Sequence, residues 1–141
     1  MINAETKVAG YYKFEIEKNG IKRDATGWFK NLITDNGLNL MGTVSTYLDY
    51  CAVGSSSSSP KNSDTTIGAL IAYTNTTFES NVIAFSGAEP YYTYTRRSFT
   101  FGTGGAVGNI SEVTIGGSTN GTNIFSSAVY RDWETDRKSV V

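Results

Sequence analysis

The chain has 141 residues, of which 18% are charged, and its formal net charge at pH 7 is −1. A chain of this length has room for one domain with a modest hydrophobic core. The near-neutral balance excludes the broad basic surface with which proteins neutralise nucleic-acid phosphates, so no nucleic-acid partner is expected.

An alternating pattern near the N-terminus predicts a β-hairpin. Between residues 12 and 17, apolar residues alternate with charged ones, which is the two-residue period of a strand with one solvated face. Asn19 and Gly20 follow, and this dipeptide favours a two-residue hairpin turn because both positions tolerate positive φ. The second strand is predicted from Ile21 to Phe29.

The next stretch, TGWFKNLITDNGLNLMG over residues 26–42, predicts a packed corner. Thr34 or Asp35 can cap a short helix, with a turn at 36–37 and helical residues from 38 until Gly42 ends them. A helix this short persists only when tertiary packing holds it. The predicted structural corner consists of Trp28, Phe29, Leu32, Asp35, Gly37, Leu38 and Met41.

The rest of the chain contains strand patterns separated by polar turns. Residues 54–66 include a run of serines closed by Pro60 and predict a surface loop, whereas 65–77 is compatible with either helix or strand. Further strands are predicted at 46–53, 81–85, 91–101, 110–116 and 124–130, with turns around SGAEP, GTGGAVGN and GSTNGTN.

These elements predict an all-β fold. Seven or eight strands with one short helix near residues 35–42 are typical of an antiparallel β-sandwich or a partly open barrel. No apolar run at the N-terminus is long enough for a signal peptide or a membrane span, so synthesis in a cytoplasm without membrane insertion is expected.

Residue chemistry argues against an enzyme. The sequence has no histidine, which removes the commonest general base and most zinc geometries. Glu15 and Glu17 are predicted on one strand face, not across a cleft as a catalytic carboxylate pair requires. The glycines at 102–108 do not have dinucleotide-binding spacing and precede a strand pattern, so no cofactor is expected. Cys51 is predicted to be a small buried hydrophobe.

The segment EPYYTYTRR leaves two interpretations open. Aromatic ring faces beside arginines can form a platform for sugars or bases, but alternating aromatics are also ordinary strand packing. The candidate contact residues for a glycan or a protein partner are Tyr91, Tyr92, Tyr94 and Arg96.

Several segments, taken in order, resemble a structural protein associated with the tail fibre or baseplate of tailed bacteriophages. They are ATGWFKNLITDNGLNLMG, YCAVGSSSSSP, SGAEPYYTYTRRSFTF and GNISEVTIGG…NIFSSAVYRD. The resemblance implies a virion component of a phage or prophage tail tip, baseplate or fibre, without enzymatic activity or cofactor. It also implies assembly with other tail proteins and with copies of itself, and contact with a host-surface glycan. The alternative is a carbohydrate-binding β-sandwich module.

The C-terminal segment departs from this pattern. After VYRD, the sequence WETDRKSVV has no turn residue and no apolar period. Residues 136–141 also match one reading frame of a common sequencing-library adapter. We therefore expect a single β domain over residues 1–132, incomplete at its C-terminal end, and a non-native or disordered tail over 133–141.

Overall fold

The structure, a computed structural model, describes residues 7–77, 81–102 and 104–130. The predicted all-β fold with one short helix is confirmed, and within these ranges the sheets are antiparallel and none closes into a barrel. The elements are β1 Tyr11–Tyr12, β2 Glu15–Lys18, β3 Ile21–Asp24, β4 Phe29–Lys30, β5 Leu32–Ile33, α1 Asp35–Thr43, β6 Tyr50–Gly54, β7 Leu70–Thr74, β8 Val82–Phe85, β9 Thr93–Arg96, β10 Glu112–Gly116 and β11 Ile124–Val129.

The central layer is a five-stranded sheet in the order β5–β11–β10–β6–β7. Val113 of β10 lies opposite Val53 of β6 and Ala128 of β11, so these three side chains share one face of the sheet. All three are buried and form the hydrophobic core with Cys51. The residues packed against this face come from the N-terminal strands and from the glycine-rich segment, namely Tyr12, Phe14, Phe29, Phe99, Phe101, Ala106 and Ile110.

The opposite face of the same sheet is polar and is covered by the loop that follows β6. Thr114 lies opposite Ser127, and both are buried. Glu112, two residues before Thr114 and therefore on the same face, is buried as well. Its carboxylate accepts hydrogen bonds from the backbone at Ser56 and Ala69, which ties the covering loop to the sheet. The sheet is thus buried on both faces, and only β10, with its alternating Glu112–Val113–Thr114–Ile115, shows in its sequence that one of these faces is polar.

The N-terminal hairpin is confirmed, but its second strand is interrupted. Asn19 and Gly20 have φ of 54° and 77°, as the predicted turn requires, and β2 pairs with β3. The predicted strand to Phe29 ends at Asp24, and β4 then pairs with β1. The backbone N–H groups of Ala25 and Thr26 both donate to the Phe14 carbonyl, at 2.9 and 3.3 Å, which marks a bulge. Such breaks divide the chain into eleven described strands instead of the seven or eight predicted.

Thr34, not Asp35, caps the helix. Its hydroxyl accepts a hydrogen bond from the Gly37 N–H at 2.9 Å and donates to the carbonyl oxygens of Ile124 and Phe125 at 3.1 and 3.2 Å. The cap therefore joins α1 to β11 as well as starting the helix. Asp35 is the first helical residue and is exposed.

Two glycines have different roles in the helix from those predicted. The turn expected at 36–37 is the first turn of α1, and the helix continues through Gly42 to Thr43. Gly37 is required because a Cβ there would overlap the Phe125 carbonyl oxygen, whereas a Cβ on Gly42 would meet nothing within 4 Å. Close approach of the helix to β11, and not a chain reversal, explains Gly37.

The predicted corner is only partly buried. Phe29 and Leu32 are half-buried, not largely buried, while Trp28 is 57% exposed, with the Lys13 ammonium 5.1 Å from its ring centroid. Leu38 and Met41 are exposed too, and the buried helical leucine is Leu40, at 8%. Leu40 is buried because it lies three residues after Gly37, and residues with this spacing share one face of a helix. That face contacts β11.

The later strands are shorter than their sequence patterns indicated. The strand predicted at 46–53 begins only at Tyr50, and the one predicted at 91–101 ends at Arg96. The ambiguous segment 65–77 contains the strand β7. The last predicted strand, β11, has partners on both sides, β10 and β5. The expected tail at 133–141 and the domain boundary at 132 lie outside the described residues.

The two helical glycines provide a matched test of this packing. Gly37→Ala is expected to lower the free energy of unfolding by at least about 2 kcal/mol, because the new methyl group must displace the backbone of β11. Gly42→Ala is expected to raise it by roughly 0.5–1 kcal/mol, since alanine favours the helix and the space is open. Urea denaturation measures both, and equal effects of the two substitutions would contradict the close approach.

Candidate functional site

The candidate contact residues lie on a hairpin that stands apart from the central sheet. β8 and β9 pair only with each other in the described part of the chain, with Val82 opposite Arg96 and Phe85 opposite Thr93. We call residues 82–96 the aromatic hairpin. Tyr91, Tyr92, Tyr94 and Arg96 are all exposed there, as a contact surface requires.

The structure brings three of these four residues into one row. Tyr94 lies opposite Ala84 and Arg96 lies opposite Val82, so these side chains share a face of the hairpin. Tyr92 precedes Tyr94 by two residues and continues the row. Tyr91 is also exposed, but it is adjacent to Tyr92 in the chain and therefore does not share the alternation of Tyr92, Tyr94 and Arg96. The row therefore combines two phenol rings and one guanidinium group on a single exposed surface.

The other face of the hairpin carries apolar residues that the sequence analysis did not single out. Ile83 and Phe85 are 82% and 76% exposed. The sequence does indicate apolar residues on both faces of this strand, because NVIAF has no polar residue after its first position. A strand with one solvated face alternates polar and apolar residues. A strand without this alternation is typically covered on both faces by other protein segments.

The turn of the hairpin is held by Ser86. Its backbone N–H donates to the Tyr92 carbonyl at 2.9 Å, and its hydroxyl accepts a hydrogen bond from the Tyr92 N–H at 3.2 Å. The same hydroxyl donates to the carbonyl oxygens of Ala88 and Pro90 at 3.0 and 3.2 Å. The turn predicted around SGAEP is thus confirmed, and Ser86 determines where the tyrosine row begins.

Arg97 anchors the base of the hairpin. One guanidinium nitrogen lies 2.8 Å from Asp49 Oδ1 and donates to the Leu48 carbonyl at 3.3 Å. Beyond it, Thr77 and Phe99 form an isolated antiparallel bridge that continues toward the central sheet. The two adjacent arginines therefore differ in role, since Arg96 belongs to the exposed row and Arg97 to the attachment.

Chemically reactive groups are not gathered at this hairpin. Within residues 7–77, 81–102 and 104–130, no group of three or more histidine, cysteine, aspartate or glutamate side chains is placed to hold a metal ion. Glu15 and Glu17 are exposed on β2, as predicted. The predicted glycine-rich turn is also present, with the Gly105 N–H donating to the Gly102 carbonyl at 2.8 Å.

Two titratable groups of the core, Cys51 and Tyr12, have strongly perturbed pKa values. Burial raises the pKa of the Cys51 thiol to about 12, and Cys51 is buried as predicted. Burial also raises the pKa of the Tyr12 hydroxyl above its usual range, although its hydrogen bond to Ser126 acts in the opposite direction. Both groups are therefore neutral near pH 7, which suits packing and hydrogen bonding.

Comparison with family models, with curated proteins and with solved structures finds no match to this chain. The resemblance to phage tail proteins therefore stays a prediction from the sequence motifs, and no family is assigned. In the described part of the chain, no helix has the length and apolar character that crossing a membrane requires.

The single thiol gives a direct readout of the core. Because the thiolate is the reacting species, and burial raises the pKa of Cys51 from 9.0 to about 12, alkylation at pH 8 is expected to be about a thousandfold slower than in the unfolded chain. Iodoacetamide labelling followed by mass spectrometry, with and without urea, measures this difference. Rapid labelling of the folded protein would show that β6 is open to solvent.

Proposed function

We propose that this protein is a non-enzymatic structural subunit that works by assembly, in the tail tip, baseplate or fibre of a phage or prophage. The observation that carries the assembly proposal is the aromatic hairpin, which exposes large apolar side chains on both faces. We place this assembly in a phage tail because of the sequence motifs, which extend from the Gly27–Trp28–Phe29 segment to the strand pattern that ends at Tyr130.

The energetics of the hairpin favour a partner. A two-stranded sheet is marginally stable in water by itself. Ile83 and Phe85 leave most of their surface in water, although burying such side chains is worth about 1.5–3 kcal/mol each. An exposed apolar patch of this kind on a soluble domain marks an interaction site.

A second copy of the same chain fits this surface. Glu89 lies in the turn of the hairpin and Arg96 at its base, and both are exposed. Two hairpins related by a two-fold axis and packed antiparallel through Ile83 and Phe85 bring the turn of each hairpin, which carries Glu89, beside the base of the other, which carries Arg96. The net charge of −1 adds little long-range repulsion between copies.

The size of the patch indicates that the hairpin is one part of a larger interface. Each aromatic side chain offers about 150–250 Å² when fully accessible. Four partly exposed aromatics and Ile83 therefore present on the order of 500 Å² for each copy, divided between the two faces of the hairpin. A standard stable interface buries about 800 Å² on each partner. Contacts with other tail proteins, or with further surfaces of the same chain, supply the remainder.

The test removes the apolar face and keeps the strand. In Ile83→Thr/Phe85→Thr, threonine retains strand preference but offers little apolar surface. Sedimentation velocity of the full-length protein is expected to show concentration-dependent oligomers for the wild type and monomers for the double variant. The matched control is Ile21→Thr, which changes another highly exposed isoleucine, on β3, and is expected to assemble normally.

Two results would contradict the assembly proposal. One is a wild-type protein that stays monomeric at every concentration. The other is a double variant that still forms the wild-type oligomer, because the aromatic hairpin would then lie outside the interface. If the Ile21→Thr control also fails to assemble, the N-terminal hairpin is part of the interface.

The tyrosine row favours a second candidate function, carbohydrate binding. Tyr92, Tyr94 and Arg96 form an exposed row that can stack on sugar rings and donate hydrogen bonds to hydroxyl groups. On a glycan array, Tyr94→Ala is expected to weaken binding by about tenfold, since burying one large side chain against a ligand is worth on the order of 1.5 kcal/mol. The control Tyr11→Ala, an equally exposed tyrosine on β1, is expected to bind as the wild type does. Unchanged binding by Tyr94→Ala would exclude the row as the platform.

A further inference from the structure

The polar face of the central sheet and the loop above it enclose a second candidate site. The loop between β6 and β7 covers a pocket of about 290 Å³, which we call the serine-loop pocket. Its floor is formed by Glu112 of β10 and Ser127 of β11, and its walls include Ser58, Lys61 and Asp64 of the loop. The pocket is on the sheet face opposite the hydrophobic core and is not part of the aromatic hairpin.

Glu112 provides a buried acceptor at the floor of this pocket. The residue is only 4% exposed. Its Oε1 accepts hydrogen bonds from the N–H groups of Ala69 at 2.7 Å and Ser56 at 3.2 Å, and Oε2 accepts one from Gly68 at 3.2 Å. A carboxylate has about four lone-pair sites. Among the described residues Oε2 has a single donor, so it retains capacity for one from a ligand.

Ser127 provides the second polar group. It is 6% exposed and lines the pocket. Within the described ranges its hydroxyl has no hydrogen-bond partner among protein groups. The hydroxyl oxygen itself is not fully buried, so it is accessible to water or to a ligand in the pocket. The pocket therefore contains an accessible hydroxyl that can both donate a hydrogen bond to a ligand and accept one from it.

Position and volume limit what can satisfy both groups at once. Ser127 pairs with Thr114 and Glu112 pairs with Val129, so the two floor residues are diagonal neighbours on adjacent strands. Such neighbours are about 7–8 Å apart at Cα, a distance that the side chains and one small ring can bridge. At about 290 Å³ the pocket is just below the roughly 300–1,000 Å³ range of ligand sites, which limits the ligand to a small molecule.

Charge distinguishes between ligand classes. The carboxylates of Glu112 and Asp64 disfavour an anion such as phosphate. An ammonium group would meet Lys61 and would leave the Ser127 O–H without an acceptor. A ligand hydroxyl both donates and accepts, so it can serve both floor residues. We propose that the serine-loop pocket binds a neutral polyhydroxylated ligand of the size of one sugar residue.

Two adjacent serines on β11 give a matched pair of variants. Ser127→Ala removes the hydroxyl at the pocket floor. Ser126→Ala removes a hydroxyl that faces the core and is bonded to the Tyr12 hydroxyl. We expect Ser126→Ala to lower the melting temperature without changing ligand binding. Ser127→Ala is expected to weaken binding by about three- to tenfold, the effect of one lost hydrogen bond, while the protein stays folded.

The binding measurement is saturation-transfer NMR with calorimetry on the full-length protein. The probes are D-glucose, D-galactose, N-acetyl-D-glucosamine and glycerol, with methylammonium and inorganic phosphate as charged competitors. Saturable binding of at least one sugar by the wild type, weakened in Ser127→Ala and retained in Ser126→Ala, is the expected result.

Three outcomes would overturn the proposal. A folded wild type that binds none of the sugars shows that the pocket holds water only. Binding of methylammonium or phosphate in preference to sugars assigns the pocket to another ligand class. Sugar binding that is lost in Tyr94→Ala but unchanged in Ser127→Ala belongs to the tyrosine row. None of these outcomes alters the oligomeric state, so assembly through the aromatic hairpin is tested separately.

Discussion

The pairing of β10 with both β6 and β11 is the interaction on which the rest of the structure depends. These three strands are buried on both faces, so their backbone groups must bond to one another and cannot bond to water. The same pairing presents an apolar face with Val113 and a polar face with Thr114 and Glu112. The N-terminal strands pack on the apolar face and the covering loop packs on the polar face, whereas the aromatic hairpin stands apart.

The helix and the covering loop are attached to this sheet by polar contacts. Thr34 joins the helix to β11 through its hydroxyl, and Glu112 joins the loop to β10 through backbone N–H groups. Glycine is needed where such elements approach closely, because a Cβ on Gly54 would overlap the Glu112 carboxylate. Hydrogen bonds specify position more narrowly than apolar contact does, since they depend on both distance and angle. A chain with a modest core can in this way hold a helix and a long loop in defined places.

The aromatic hairpin is the described element least supported by the central sheet. Arg97 and the Thr77–Phe99 bridge attach its base, but its strands pair only with each other and its apolar side chains point to solvent. The serine-loop pocket has the opposite character, because it lies on the rigid sheet and its polar floor is buried. The two surfaces suit different partners, a large apolar surface in the first case and a small hydroxyl-bearing molecule in the second.

Local patterns determined the fold class, the Asn19–Gly20 turn, the helix near residues 35–42 and the burial of Cys51, because each depends on neighbouring residues or on residue type. The sequence also indicated the exposed tyrosine row, but as one of two interpretations. Only the tertiary structure decided that Leu40 is buried while Leu38 and Met41 are exposed, since the face of a short helix that meets the sheet depends on where β11 lies. The same holds for Glu112 and Ser127, which look like ordinary strand residues until β6, β10 and β11 are paired. Their burial arises from contacts between segments far apart in the chain, and no local period records such contacts.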